Sequence, residues 1–168
     1  MKEFKFSPDN KGVMGQLRKM PIFDAMEPEQ LPHVLKLAKL RQYEVGEVII
    51  AKGDTDQLVY FLAQGSCAVN IEGLDVGTIT KVGDVFGEMG MVDQEPRSAT
   101  ITANVTTICL VLDSSFLDHM KSVDSLASKA LFYRIFSEIL AARVRDANAK
   151  ILVLEDQLED LSVQMPSS

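Results

Sequence analysis

The sequence predicts an α+β fold in which an antiparallel β-roll or barrel is preceded by short helices and followed by one long helix. Three observations carry this. From about residue 43 to 113, short β-branched and aromatic runs alternate with glycines. Upstream, Pro28-Glu29-Gln30-Leu31 opens a stretch with helical character. Downstream, from 124 to 161, neither glycine nor proline interrupts a heptad pattern of apolar residues.

The elements follow in order. Residues 1–20 are polar and mixed, with Gly12-Val13-Met14-Gly15-Gln16-Leu17 as either a loop or a short helix. Pro28 suits a first helical turn, and the acidic residues beside it complement the helix dipole; the helix leads into Val34-Leu35-Lys36-Leu37-Ala38-Lys39-Leu40. Strands are expected at Val48–Ile50, Leu58–Leu62, Cys67–Ile71, Thr100–Ala103 and Ile108–Leu112, with Ala63-Gln64-Gly65-Ser66 as a tight hairpin. Asp113-Ser114 is a plausible N-cap pair, followed by a short helix at Phe116–Met120.

The long helix carries Leu126, Ala130, Tyr133, Ser137, Leu140, Val144, Ala147, Ile151, Leu154, Leu158 and Leu161 at alternating steps of four and three. With Leu126 at heptad position d, Val144, Ile151 and Leu158 fall at a, while Leu140, Leu154 and Leu161 fall at d. β-Branched a with leucine d is the pattern of parallel two-stranded coils. A second stripe, Leu131, Phe132, Ile135, Phe136 and Ile139, ends near Ala142, so one face is expected to pack on the roll only in the N-terminal half. A homodimer through this helix is the expected assembly. The resulting segments are 1–20 (lead), 21–122 (roll with flanking short helices), 123–162 (long helix) and 163–168 (tail).

Composition narrows the function. The 168 residues suit one domain with an appendage, and 46% are apolar, enough for a core. A net charge of -7, from 24 acidic and 17 basic residues, argues against direct nucleic-acid binding, which needs clustered Lys and Arg. No apolar run approaches the ~18 residues that span a membrane, and residues 1–11 lack an apolar signal core, so a cytoplasmic location is expected. Cys67 and Cys109 have no CxxC partner and lie far in sequence from His33 and His119; two buried free thiols and no metal site or cofactor are expected. There is no P-loop and no nucleophile elbow, so an enzyme is not expected.

One segment concentrates binding chemistry. Gly83-Asp84-Val85-Phe86-Gly87-Glu88 closes a strand and opens a turn, and Gly87 permits a close backbone approach. A helical turn over Glu88–Met91 would aim free N–H groups at an anion. Arg97, nine residues after Glu88, can grip two phosphate oxygens, and Ser98 adds a hydroxyl. Glu88 as a carboxylate suits sugar hydroxyls. A phosphate grip beside a hydroxyl acceptor fits a sugar phosphate; each residue alone also fits an ordinary exposed loop.

Phe86-Gly87-Glu88-Met89 followed by Pro96-Arg97-Ser98-Ala99-Thr100 resembles the phosphate-binding cassette of the cyclic nucleotide-binding domain family, which includes bacterial catabolite activator proteins and the regulatory subunits of the cyclic-AMP-dependent kinase. Gly46, Gly53-Asp54, Tyr60-Phe61 and Gly65 fall at the family's β-roll turns, and the resemblance covers about residues 20 to 150. It implies a double-stranded, jelly-roll-like β-roll with a C-terminal hinge helix. It implies cyclic AMP, more than cyclic GMP, as ligand. Glu88 would accept the ribose 2′-hydroxyl, Arg97 would pair with the cyclic phosphate, and the N–H groups of Gly87, Met89 and Ser98 would complete the cradle. Asn148, by rough alignment, would contact the base. Gly90 departs from the family's usual Ala. The expected function is a regulatory sensor that signals through hinge-helix and dimer rearrangement to an unidentified downstream protein. The sequence leaves open a piece of a longer DNA-binding transcription factor, since no winged helix follows, and a dimeric scaffold that does not bind nucleotide.

Overall fold

The computed structural model of the chain describes residues 1–5, 38–113 and 123–164. The helical expectations at 12–17, from Pro28 to Leu37 and at Phe116–Met120, and both histidines, lie outside the described residues. The chain divides into two compact units, Met1–Ala130 and Leu131–Ser168.

The first unit is built on two antiparallel sheets. One has the order β1 (Lys2–Lys5), β2 (Ala38–Tyr43), β9 (Thr107–Asp113), β4 (Leu58–Gln64), β7 (Val85–Phe86). The other has the order β3 (Val48–Ile50), β8 (Thr100–Ala103), β5 (Cys67–Ile71), β6 (Leu74–Ile79). A five-residue helix, α1 (Met89–Asp93), lies between β7 and β8. β4 and β9 are the central pair of the larger sheet, in register from Leu58↔Asp113 to Gln64↔Ile108, and their Val59–Ala63 and Cys109–Leu112 runs are buried. Such continuous apolar runs mark strands covered on both faces. The core draws on both sheets: Tyr60, Leu62, Phe86, Cys109 and Val111 meet Ile49, Ile50, Cys67, Ile101 and Ala103. This is the β-roll that the sequence predicts.

β6 is a strand beyond those expected, and three further elements differ from expectation. Ala38–Tyr43 is strand where the helical stretch was expected to continue to Leu40, because all six residues pair with β9 from Ala38↔Leu112 to Tyr43↔Thr107; a full ladder outweighs a weak helical period. β1 is not signalled by its mixed sequence Lys2-Glu3-Phe4-Lys5. It is an edge strand, tied by Glu3 to Lys39 at 2.9 Å and Arg41 at 2.8 Å and by the Met1 amino group to Glu47. Ala63-Gln64-Gly65-Ser66 turns the chain but is no hairpin: β4 and β5 belong to different sheets. Gly65 has φ +99, and a Cβ there would lie 2.5 Å from Thr107 Oγ1, which accepts from the Ser66 amide and donates to the Ser66 carbonyl. The hairpin turn is instead Glu72-Gly73, with φ 54 and 87, between β5 and β6.

The described residues of the second unit are helical. They belong to α2 (Val123–Gln164), 42 residues long and continuous as expected. Phe132 and Phe136 stack with centroids 6.0 Å apart, and Arg134 pairs with Glu138 at 3.0 Å across one turn. Farther along, Val144, Ile151, Leu154 and Leu158 are 58, 51, 57 and 66% exposed. Among the described residues no helix is long and apolar enough to cross a membrane.

Candidate functional site

The site is assembled by three short segments at one end of β4, β7 and β8. Phe86 stacks on Tyr60 with centroids 5.2 Å apart and planes 7° from parallel, which anchors the end of β7 in the core. Its ring therefore faces the interior, and its contribution to the site is to fix Gly87. Gly87 has φ +77; a Cβ there would stand 2.8 Å from Arg97 Nη1 and 2.9 Å from the Leu58 carbonyl oxygen. Both the conformation and the crowding require glycine.

Glu88 follows at the N-cap of α1 with no side-chain cap bond, and the Met91 amide donates to its carbonyl at 3.1 Å. The Glu88 side chain is buried, 1% exposed. Met89 is exposed. Gly90 is buried inside α1, and a Cβ there would sit 3.4 Å from Arg97 Nη1, in ordinary contact. The family's usual Ala therefore fits this position.

The loop from Gln94 to Ala99 brings Arg97 back against this turn. Its backbone is fastened to the β3–β4 loop by two bonds, Arg97 N–H to the Asp54 carbonyl at 2.7 Å and Gly53 N–H to the Arg97 carbonyl at 2.8 Å. Next door, the Lys52 amide donates to Thr100 Oγ1 at 3.1 Å. The guanidinium is 5% exposed as a residue and makes three bonds: Nη1 to the Gly87 carbonyl at 2.5 Å, Nη2 to Asp56 Oδ1 at 2.6 Å, and Nη2 to the Leu58 carbonyl at 2.5 Å. A buried cation requires such partners. A guanidinium carries five N–H donors, and Nε is buried with no protein partner. Buried donors are rarely left so.

Asp56 supplies the balancing charge. Burial pushes its carboxyl upward, but the bonds from Arg97 and the Leu58 amide outweigh this and hold it below its ordinary value. Sequence reading does not reach Asp56: it lies in a polar Gly53-Asp54-Thr55-Asp56 turn, and only the fold sets it against a residue 41 positions later. Among the expected site residues, Phe86, Gly87, Glu88, Met89 and Arg97 gather here, tied by the Arg97–Gly87 bond. Ser98 follows Arg97 and is exposed, and Asn148 lies exposed on α2 in the second unit.

A family model described as the cyclic nucleotide-binding domain matches residues 40–123, which contain this entire cradle. The chain belongs to the cyclic nucleotide-binding domain family. A protein named as a potassium channel from Rhodopseudomonas palustris is 30% identical over 149 residues, covering 87% of this chain and 35% of its own length. A cGMP-dependent protein kinase of Toxoplasma gondii is 28% identical over 145 residues, covering 86% of this chain and 14% of its own length. The chain thus spans about a third or less of the curated relatives it matches. Among solved structures, PKAR CBD2 with Sp-2Cl-cAMPS bound superposes with a TM-score of 0.63 at 26% identity, covering 89% of this chain and 95% of that one.

Proposed function

We propose that this chain is a cytoplasmic cyclic nucleotide sensor that takes cyclic AMP in preference to cyclic GMP and acts as a homodimer joined through α2. The observation that carries the binding claim is Arg97, a buried guanidinium fixed by three bonds while its Nε–H has no protein partner. A cyclic phosphate oxygen supplies that acceptor and adds the second anion that the cradle can hold. Arg97 pairs with the phosphate, and the N–H groups of Gly87, Met89 and Ser98 line its other side. Glu88 accepts the ribose 2′-hydroxyl, and Asn148 contacts the base.

The preference for cyclic AMP rests on comparison: the well-covered structural relative carries a cAMP-named ligand, whereas a sequence relative is named for cGMP. Docking of nucleotide favours one arrangement of α2 over another, and a downstream protein reads the change. The apolar stripe of α2 supports the dimer. Thermal-shift titration with cyclic AMP, cyclic GMP and 5′-AMP tests the reading. The midpoint should rise with cyclic AMP at lower concentration than with cyclic GMP, and least with 5′-AMP. An unmoved midpoint with both cyclic nucleotides would overturn it.

A further inference from the structure

We propose that Arg41 is a positioning residue of the nucleotide site and that Glu3 of β1 holds it, so that docking of β1 on β2 tunes nucleotide affinity. The inference rests on the cyclic nucleotide reading above and adds a control from outside the cassette. Glu3 and Arg41 are directly opposite in the β1–β2 pairing, and Glu3 uses both oxygens. Its Oε2 accepts from Arg41 Nε at 2.8 Å, and its Oε1 meets Lys39 Nζ at 2.9 Å. Alternation along β2 puts Arg41 on the same face as Tyr43, which lies in the core between the two sheets. The Arg41 side chain is accordingly only 17% exposed, against 55% for Lys39.

From Arg41 a line of contacts runs to the cradle. The Arg41 guanidinium donates to Tyr43, and the Tyr43 and Tyr60 hydroxyls bond one another. The Tyr60 hydroxyl also stands 3.5 Å from the Ile49 carbonyl oxygen, and its ring stacks on Phe86. Phe86 fixes Gly87, whose carbonyl accepts from Arg97. Charge supplies a second route. Burial raises the Asp56 carboxyl; the bonds from Arg97 and Leu58 lower it, and the Arg41 charge adds to the lowering. Arg41 therefore supports the carboxylate that holds Arg97. Both routes depend on Glu3. Without it the partly buried guanidinium loses the carboxylate on its Nε and turns toward water or a new acceptor. Either movement withdraws it from Tyr43 and Asp56. β1 is suited to supply Glu3 conditionally: it is four residues long, lies at the edge of its sheet and is exposed from Met1 to Phe4. Coupling is reciprocal, so nucleotide that favours the ordered cradle also favours docked β1.

Calorimetric titration of cyclic AMP into the full chain tests this with Glu3→Gln, Arg41→Met, the double variant and Lys39→Met, each checked for folding by its melting midpoint without nucleotide. Glu3→Gln and Arg41→Met should each weaken binding about fivefold. The double variant should lose no more than Arg41→Met alone, because both act through one contact. Lys39→Met removes the same unit of charge beside Glu3 and should bind within about twofold of the wild type. Cyclic AMP should also slow amide hydrogen exchange at Lys2–Lys5 in the wild type and not in Arg41→Met, a readout that a merely structural arginine would not move. If Arg41→Met does not fold, Glu3→Gln and the exchange of β1 decide alone. A binding wild type whose folded variants stay within about twofold, additive losses in the double variant, an equal loss in Lys39→Met, or β1 exchange that ignores the nucleotide would overturn the role of Arg41 and leave the nucleotide reading standing. A folded wild type that binds no cyclic AMP would overturn both.

Discussion

Asp56 Oδ1 receives two hydrogen bonds, from Arg97 Nη2 at 2.6 Å and from the Leu58 amide at 3.0 Å. The shared oxygen fixes the carboxylate to its own strand end and the guanidinium to the carboxylate. Arg97 is therefore held in place by protein alone, and a ligand meeting it does not have to order a long side chain. That saving is the physical advantage of burying the residue.

Replacing Asp56 by Asn keeps the shape and removes the charge. The buried guanidinium loses its counter-ion, so the variant should be less stable by about 1–3 kcal/mol at neutral pH. The pH dependence follows from the direction of the Asp56 shift. The folded carboxyl sits below its ordinary value of 3.8, so its contribution is complete above that value and disappears as pH falls through the lower folded value. Urea unfolding should show a gap between wild type and Asp56→Asn near pH 7 that closes as pH falls below the ordinary carboxylate value. An equal gap at both ends would mean that the pair contributes nothing through its charge.

The two glycines of the cassette should respond in opposite ways. Gly87→Ala forces a side chain into a positive-φ position against Arg97 Nη1 and the Leu58 carbonyl. The backbone alone should cost about 1–2 kcal/mol, and displacement of Arg97 should weaken nucleotide binding. Gly90→Ala meets only van der Waals neighbours within a helix, so it should gain about 0.5–1 kcal/mol and leave binding in place. Melting curves and nucleotide titrations of both variants check the contrast; equal effects from the two would refute the packing described around Arg97.

Cys67 and Cys109 should be inert in the folded protein. Both are fully buried; burial pushes the Cys67 thiol up to about 11 against a smaller opposing bond to Thr107, and pushes Cys109 up as well, with Cys67 adding to it. A thiol reagent at about pH 8 should label neither until denaturant is added, and then both. Rapid labelling of the native chain would show that the core at Cys67 and Cys109 opens readily.

What could be read from the sequence divides along local and long-range lines. The central strands, the long helix and the cassette from Phe86 to Arg97 are written in local patterns: apolar runs, heptads and a glycine turn before an acid. β1 was not, because four charged or exposed residues become a strand only by pairing with β2. Gly65 showed that a turn exists, but not that the chain passes there from one sheet to the other, which depends on Thr107. Asp56 escaped for the same reason. Its role exists only once the roll places it against Arg97.

Isothermal titration of cyclic AMP into the wild type and into Arg97→Ala tests the central claim most directly, with a urea midpoint confirming that the variant remains folded. The account predicts saturable binding to the wild type and a loss of about 2–5 kcal/mol, at least ~30-fold, on truncating the arginine. No binding by the wild type, or a folded Arg97→Ala that binds within about twofold of it, would contradict Arg97 as the phosphate ligand.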